Sequence, residues 1–305
     1  MVYGGTSGHA AHLLVGMFHG VTGMVLDLGI VPEATEVVAV CCASNKVVAC
    51  VNGPGGGRVI AAPYQPLPFD LIQEWGFSRS PYEEIGSPFN NERILDAVLD
   101  TSGTQLIGVT PSRLFTINLS TGAVASVTTI VCEGDLAVTP SGGILGIAED
   151  GNLWRYDPAN GSLESHAAPL PHGEWKDMRL AWAEDTANGR LYTADREGVL
   201  FAFEEKKGFS PALGRLPLAP AGPMAVTLDG RLFGACGDEI SNLFSYTPQS
   251  GALKNLGVAV SVLERRRYGY VFGAAAVGRD GQIYLGENDD NGHLWIYFPR
   301  IQSFR

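Results

Sequence analysis

Charge is scarce in this chain. Only 17% of its 305 residues are charged, and 21 Lys and Arg against 32 Asp and Glu leave a net charge of −11. A binder of phosphate backbones needs the opposite sign, so nucleic acid is not expected as a partner. The one dense basic run, Arg265-Arg266-Arg267, makes a local patch able to hold a carboxylate. Long apolar runs are missing too. None approaches the roughly 20 residues that cross a bilayer, so the chain reads as soluble with no membrane partner. No secretory signal precedes Val2-Tyr3-Gly4-Gly5, which already reads as a strand; the compartment stays open. The five cysteines, Cys41, Cys42, Cys50, Cys132 and Cys236, contain no Cys-x-x-Cys pair. Their odd number argues against a full disulfide framework, and their apolar neighbours suggest buried free thiols. Helical periodicity is absent, since no window sustains an i, i+3, i+4, i+7 apolar stripe. No Gly-x-Ser-x-Gly or His-Glu-x-x-His motif appears.

What is present is a repeat. Gly143-Ile-Leu-Gly-Ile-Ala leads through a polar loop to Asn152-Leu-Trp-Arg-Tyr-Asp-Pro158. The same frame recurs as Gly230-Arg-Leu-Phe-Gly-Ala with Asn242-Leu-Phe-Ser-Tyr-Thr-Pro248, and as Gly281-Gln-Ile-Tyr-Leu-Gly with His293-Leu-Trp-Ile-Tyr-Phe-Pro299. Weaker copies begin near Leu106 and Leu191, and the most divergent near Val47 and Val2, the last continuing to His12-Leu-Leu-Val. That makes seven copies spaced like four-stranded propeller blades, which repeat every 40–50 residues or so. The expectation is an all-β chain: one β-propeller domain over residues 1–305, of seven blades with up to four antiparallel strands each. Strands are lettered A to D from the axis outward. The first blade lacks an A strand before Met1. The last has only Ile301-Gln-Ser-Phe-Arg305 after strand C, too little for a full D.

In such a fold the A–B and C–D turns share one face, and the B–C and D–A connections share the other. The first set is short, as in Asp229-Gly230, and such turns are structural. The second set is long and polar: Glu74 to Arg93, His172 to Arg179, Val260 to Tyr270, and the hairpin Glu287 to Gly292. Binding and catalytic residues concentrate on variable loops over a rigid scaffold, so a site belongs on this face. Arg93, Glu133, Arg179 and Tyr270 precede A strands and should rim it, with Arg267 and Tyr268 nearby. The B–C loops add His9, His12, Arg196, Asp238, Glu287 and Asn288. Arginine can hold and neutralise a uronate carboxylate, while histidine or tyrosine moves the proton beside it. The candidate catalytic residues are therefore Tyr270, His172 and Tyr268. Arg93, Arg179, Arg267 and Arg196 are candidate substrate ligands, and Trp175 a stacking platform.

Other motifs read more plainly. His12 and His293 open strand C where other copies carry Asn152 and Asn242, which suggests a repeat-level bond to the adjacent loop. Gly53-Pro-Gly-Gly-Gly-Arg58 lacks the Lys-Ser/Thr ending of a phosphate loop and reads as a hairpin. Glu287-Asn-Asp-Asp-Asn-Gly292 begins like a calcium loop, but Phe298 stands where the bidentate glutamate belongs. No metal ligand or cofactor is assigned, and a divalent metal is left open.

Asp-Gly-Gln-Ile-Tyr-Leu-Gly-Glu and Gly-His-Leu-Trp-Ile-Tyr-Phe-Pro resemble the blades of seven-bladed polysaccharide lyases, the group of the ulvan and oligogalacturonate lyases. The resemblance implies β-elimination on a uronate-containing saccharide by histidine, tyrosine and arginine on the loop-rich face, sometimes with a metal. The expected ligand is an acidic oligo- or polysaccharide. The alternative is a non-catalytic propeller that binds a protein or glycan on the same face.

Overall fold

The computed structural model describes the chain except residues 20–21, 65–81, 131–134, 149, 174, 176–178, 262–266, 290–291 and 300–305. Among the described residues there is no helix, and none long and apolar enough to cross a membrane. The strands form seven small antiparallel sheets, the blades of a β-propeller. The first sheet is β1 (Val2–Gly5), β2 (His12–His19) and β3 (Thr22–Ile30). The second is β4 (Glu36–Cys42), β5 (Lys46–Gly53), β6 (Gly56–Pro63) and β7 (Glu83–Gly86). The third is β8 (Asp96–Leu99), β9 (Gln105–Val109), β10 (Arg113–Asn118) and β11 (Val124–Thr129). The fourth is β12 (Ala137–Val138), β13 (Ile144–Ile147), β14 (Asn152–Asp157) and β15 (Ser162–Pro169). The fifth runs β16 (Ala183–Asp185), β17 (Arg190–Ala194) and β18 (Val199–Glu204), with β19 (Gly208–Phe209) and β20 (Gly214–Arg215) both paired to β18. The sixth is β21 (Ala221–Val226), β22 (Leu232–Cys236), β23 (Asn242–Thr247) and β24 (Ala252–Val258). The seventh is β25 (Phe272–Val277), β26 (Ile283–Glu287) and β27 (Leu294–Tyr297).

The chain divides into two compact units. One comprises Met1–Val138 with Gly146–Glu149 and Pro158–Ser162, the other Thr139–Leu145, Asp150–Asp157 and Leu163–Arg305. In the first unit Leu13 and Val15 pack on Val47, Ala49 and Val51 of the next blade, and Val48 and Cys50 join Leu106 and Phe115. In the second, Tyr192 and Leu200 pack with Leu232 and Phe244, and Phe233 and Ala235 with Ile283 and Leu285. The B strands β5, β9, β13 and β22 are buried and largely apolar on both faces.

The first blade is three-stranded, and no strand pairs inside β1 among the described residues. Gly8 N donates to Thr35 O (2.8 Å) and Thr35 N to Asn52 O (2.9 Å). These bonds put the β1–β2 turn beside the start of β4 and the end of β5. Thus β1 runs in the sense of a B strand and β2 in that of a C strand. Without an A strand inside it, β1 closes on β4: a Cβ on Gly5 would lie 2.4 Å from Val37 Cγ1. The seventh blade has three strands among the described residues, and Ile301 to Arg305 lie outside them.

One connection differs from expectation. The stretch between Pro63 and Glu83 joins β6 to β7, so most of it is a C–D connection. Only residues 87–95 cross from strand D to the next A strand. The sequence offers no turn signal strong enough to place the short strand Glu83–Gly86 ahead of that crossing.

The cysteines are free where described: Cys50 and Cys236 are buried, Cys41 is half-buried, and Cys42 is exposed rather than buried. Cys132 lies outside the described residues. Burial, with Asp96 and Cys42 adding charge repulsion, pushes the Cys41 thiol up to about 12. Burial also raises Cys50 and Cys236. The thiolate is the reactive form, so in the native protein at neutral pH iodoacetamide should modify Cys42 while Cys41, Cys50 and Cys236 react only after denaturation. Peptide mapping checks this, and native labelling of Cys50 would contradict the packing.

Candidate functional site

The sequence-predicted residues fall into several environments. In the first unit, exposed Arg93 is ion-paired with Glu36. Glu36 also accepts Asn52 Nδ2 at 2.8 Å, and Asn52 exchanges two 2.9 Å bonds with the backbone of Ile94. Arg93 thus closes a network that ties strand β5 to the chain entering β8. In the second unit, His172 and Arg179 are exposed in the β15–β16 connection, and Arg196 is exposed in the β17–β18 turn. Trp175 is half-buried, donates its indole N–H to Pro171 O (2.8 Å), and lies 5.6 Å from Phe201 and 6.4 Å from Phe209, ring to ring. Its ring anchors the connection to the fifth blade. Glu133, Arg265 and Arg266 lie outside the described residues.

The densest polar chemistry is at the sixth and seventh blades. Between β24 and β25 the segments 259–261 and 267–269 pair antiparallel. Gly269 N donates to Ala259 O (2.9 Å), Ser261 N donates to Arg267 O (3.0 Å), and Val260 bridges Tyr268. Side chains alternate across such a ladder. Val260, Tyr268 and Tyr270 therefore share the outer side, at 52%, 45% and 45% exposure. Ala259, Gly269 and Arg267 share the other. Glycine is required at 269, where a Cβ would fall 2.5 Å from the Phe272 ring.

On the inner side Arg267 Nη2 lies 2.8 and 2.9 Å from the two ring nitrogens of His293. His293 Nδ1 is 2.9 Å from Glu287 Oε2, which also accepts Trp295 Nε1 at 3.1 Å, while Glu287 Oε1 accepts the backbone N–H of Tyr270 at 2.8 Å. The Glu287 side chain has no solvent exposure. A carboxylate so placed can accept a proton-bearing Nδ1 of His293, while Arg267 Nη2 lies against both ring nitrogens rather than along either lone pair. Arg267 Nε is buried without a hydrogen-bond partner among the described residues. Glu287, Asp289 and His293 each offer one ligand atom within 4.8 Å of the others, so the donor types suit a cation. The guanidinium already supplies positive charge to this imidazole.

The outer side is different. Leu218 and Ile240, from neighbouring connections, are 41% and 47% exposed. Ser241 N donates to Tyr270 O (2.6 Å), and a Cβ on Gly237 would be 3.0 Å from Leu218 Cδ1, so these segments adjoin. Asp238 and Glu239 are exposed beside Ile240. Arginine and the tyrosines, grouped together from the sequence, thus lie on opposite sides of one strand. His293 bonds the adjacent loop, as its repeat position suggested. Leu218, Ile240 and Val260 were not anticipated; apolar residues in polar connections, as in Asp238-Glu239-Ile240-Ser241, are the available signal.

No protein-family model matches the chain, and no curated protein matches its sequence. Solved structures do match. The extracellular domain of the putative hybrid two-component system BT4673 from B. thetaiotaomicron aligns with a TM-score of 0.64 at 14% identity, over 99% of this chain and 38% of that one. The WD40 β-propeller domain of Doa1 aligns at 0.64 and 11% identity, over 98% of this chain and 89% of that one. A catalytically inactive variant of virginiamycin B lyase from Staphylococcus aureus, solved with quinupristin, aligns at 0.62 and 12% identity, over 95% and 89%. The likeness is one of fold. The chain spans little more than a third of the BT4673 ectodomain, 38% of its length.

Proposed function

We propose that this chain is a non-catalytic binding propeller that takes a protein ligand on the face built by its B–C hairpins and D–A connections, with Tyr268 and Tyr270 as anchors. One observation carries the reading: the paired segments 259–261 and 267–270 turn both tyrosines and Val260 outward while the Glu287 network ties Tyr270 to the seventh blade. Tyrosine is enriched among the few residues that dominate interface energetics, and a contiguous apolar patch marks a contact surface. The test compares immobilised wild type with Tyr268→Ala/Tyr270→Ala in a quantitative interaction screen against proteins of the source organism. Two hot-spot truncations of about 2 kcal/mol each should remove the ligand from the double variant. An identical set of retained proteins refutes the assignment.

A second reading, β-elimination on a uronate saccharide, is favoured by the buried Glu287 carboxylate behind His293. Such a pair can present Nε2 as a base, and Arg267 can hold a carboxylate. Against it, Arg267 Nη2 already lies within 2.9 Å of both ring nitrogens, and the strand alternation turns both tyrosines to the other side. Incubation with a panel of uronic polysaccharides should give no rise in the ultraviolet absorbance of unsaturated product. A rise abolished by His293→Ala would establish the lyase instead.

A further inference from the structure

The rim of the tyrosine patch carries information about its occupant. The patch combines two aromatic and three aliphatic side chains, Leu218, Ile240, Val260, Tyr268 and Tyr270. Asp238 and Glu239 directly precede Ile240, both exposed and without an ion-pair partner among the described residues. The one described cation of the hairpin, Arg267, is turned inward onto His293. Around Ile240 the described exposed residues are thus apolar and anionic, on a chain whose net charge is −11. An acidic segment would meet like charge at Asp238 and Glu239. A basic segment with bulky apolar side chains finds both complements.

We infer that this patch docks a cationic peptide segment of its protein partner, one that inserts a bulky apolar side chain between Ile240 and the two tyrosines and places lysine or arginine over Asp238 and Glu239. The inference rests on the reading of this face as a protein-binding surface and adds the chemistry of the ligand. Charge complementarity of this kind sets partner choice and association rate, and it discriminates by like-charge repulsion against acidic partners.

Fluorescein-labelled peptides provide the test. One alternates lysine with leucine and tryptophan; a second replaces every lysine with glutamate; a third replaces every apolar residue with serine. Fluorescence anisotropy on the full chain should show the first binding at least about tenfold more tightly than either control, with affinity falling as salt rises. Asp238→Lys/Glu239→Lys should weaken it about tenfold through rim repulsion. Ile240→Ser should weaken it without changing the salt dependence, and a melting curve for each variant guards against misfolding. Equal binding of the glutamate or the serine peptide overturns the inference, as does unchanged affinity in both variants. Displacement by oligogalacturonate would make the patch a glycan site. Sedimentation showing a dimer that Ile240→Ser dissociates would make the occupant a second copy. Either result overturns the proposal. If the peptides fail while Tyr268→Ala/Tyr270→Ala still loses a captured protein, the binding reading stands and only the cationic segment falls.

Discussion

Glu287→Ala is expected to destabilise the protein by about 3 kcal/mol or more, because it removes a buried acceptor of three hydrogen bonds. The carboxylate accepts from three donors on two segments: the backbone of Tyr270, and Nδ1 of His293 with Nε1 of Trp295. Alanine leaves all three without an acceptor in a place that excludes water, and each unsatisfied buried group costs about 1–3 kcal/mol. Some of that is recovered if His293 changes tautomer. Glu287→Gln should fall between, at about 1–3 kcal/mol, because one amide cannot accept on both sides. With its nitrogen towards Tyr270 it faces an N–H; flipped, it faces the indole N–H. Urea unfolding of the three proteins measures the order. An alanine variant as stable as wild type would show that the network does not hold the hairpin. The same loss should release the Tyr270 end of the hairpin and weaken binding at the patch, although Glu287 lies beneath it.

The B–C hairpins were readable because their chemistry repeats. Asn152-Leu-Trp-Arg-Tyr and Asn242-Leu-Phe-Ser-Tyr occupy β14 and β23 in one register. Their aromatic positions must be large, since each fills the gap between adjoining sheets. Trp154 and Phe244 are wholly buried. The three-stranded first blade among the described residues followed from the same frame, in which Val2-Tyr-Gly-Gly takes the B position. The site was readable only as a face. Its long connections marked it, but which way each side chain points depends on pairing partners. Arg267 reaches His293 across 26 residues, and the opposite aspects of Arg267 and Tyr268 follow from the Val260–Tyr268 bridge. No local pattern in Tyr268-Gly-Tyr270 distinguishes a buried from an exposed tyrosine. The fifth blade shows a related limit: its outer position is split between β19 and β20, where Pro211 interrupts the pattern.

A double-mutant cycle between Gly108 and Phe115 tests the repeat frame itself. The two residues face each other across β9 and β10, and a Cβ on Gly108 would lie 2.4 Å from the Phe115 ring edge. Gly234 stands to Phe244 in the same way, with a Cβ 2.9 Å from that ring. Glycine at this position therefore provides room for the aromatic ring that folds over it, not backbone freedom. Phe115→Ala, at a fully buried position, should cost about 3–5 kcal/mol as transfer and cavity terms combine. Gly108→Ala should cost about 1–3 kcal/mol through overpacking. In the Phe115→Ala background the ring is gone, so the same Gly108→Ala change meets open space. It should then be neutral, or stabilising by about 0.5–1 kcal/mol, because alanine loses less conformational freedom than glycine in a strand. The coupling of contacting residues falls in the range of about 0.5–3 kcal/mol, and urea midpoints of the four proteins give it directly. Strict additivity would mean that the glycine is kept for its conformation, and that the alternation of small and aromatic residues across the B–C hairpin does not set the packing of the blades.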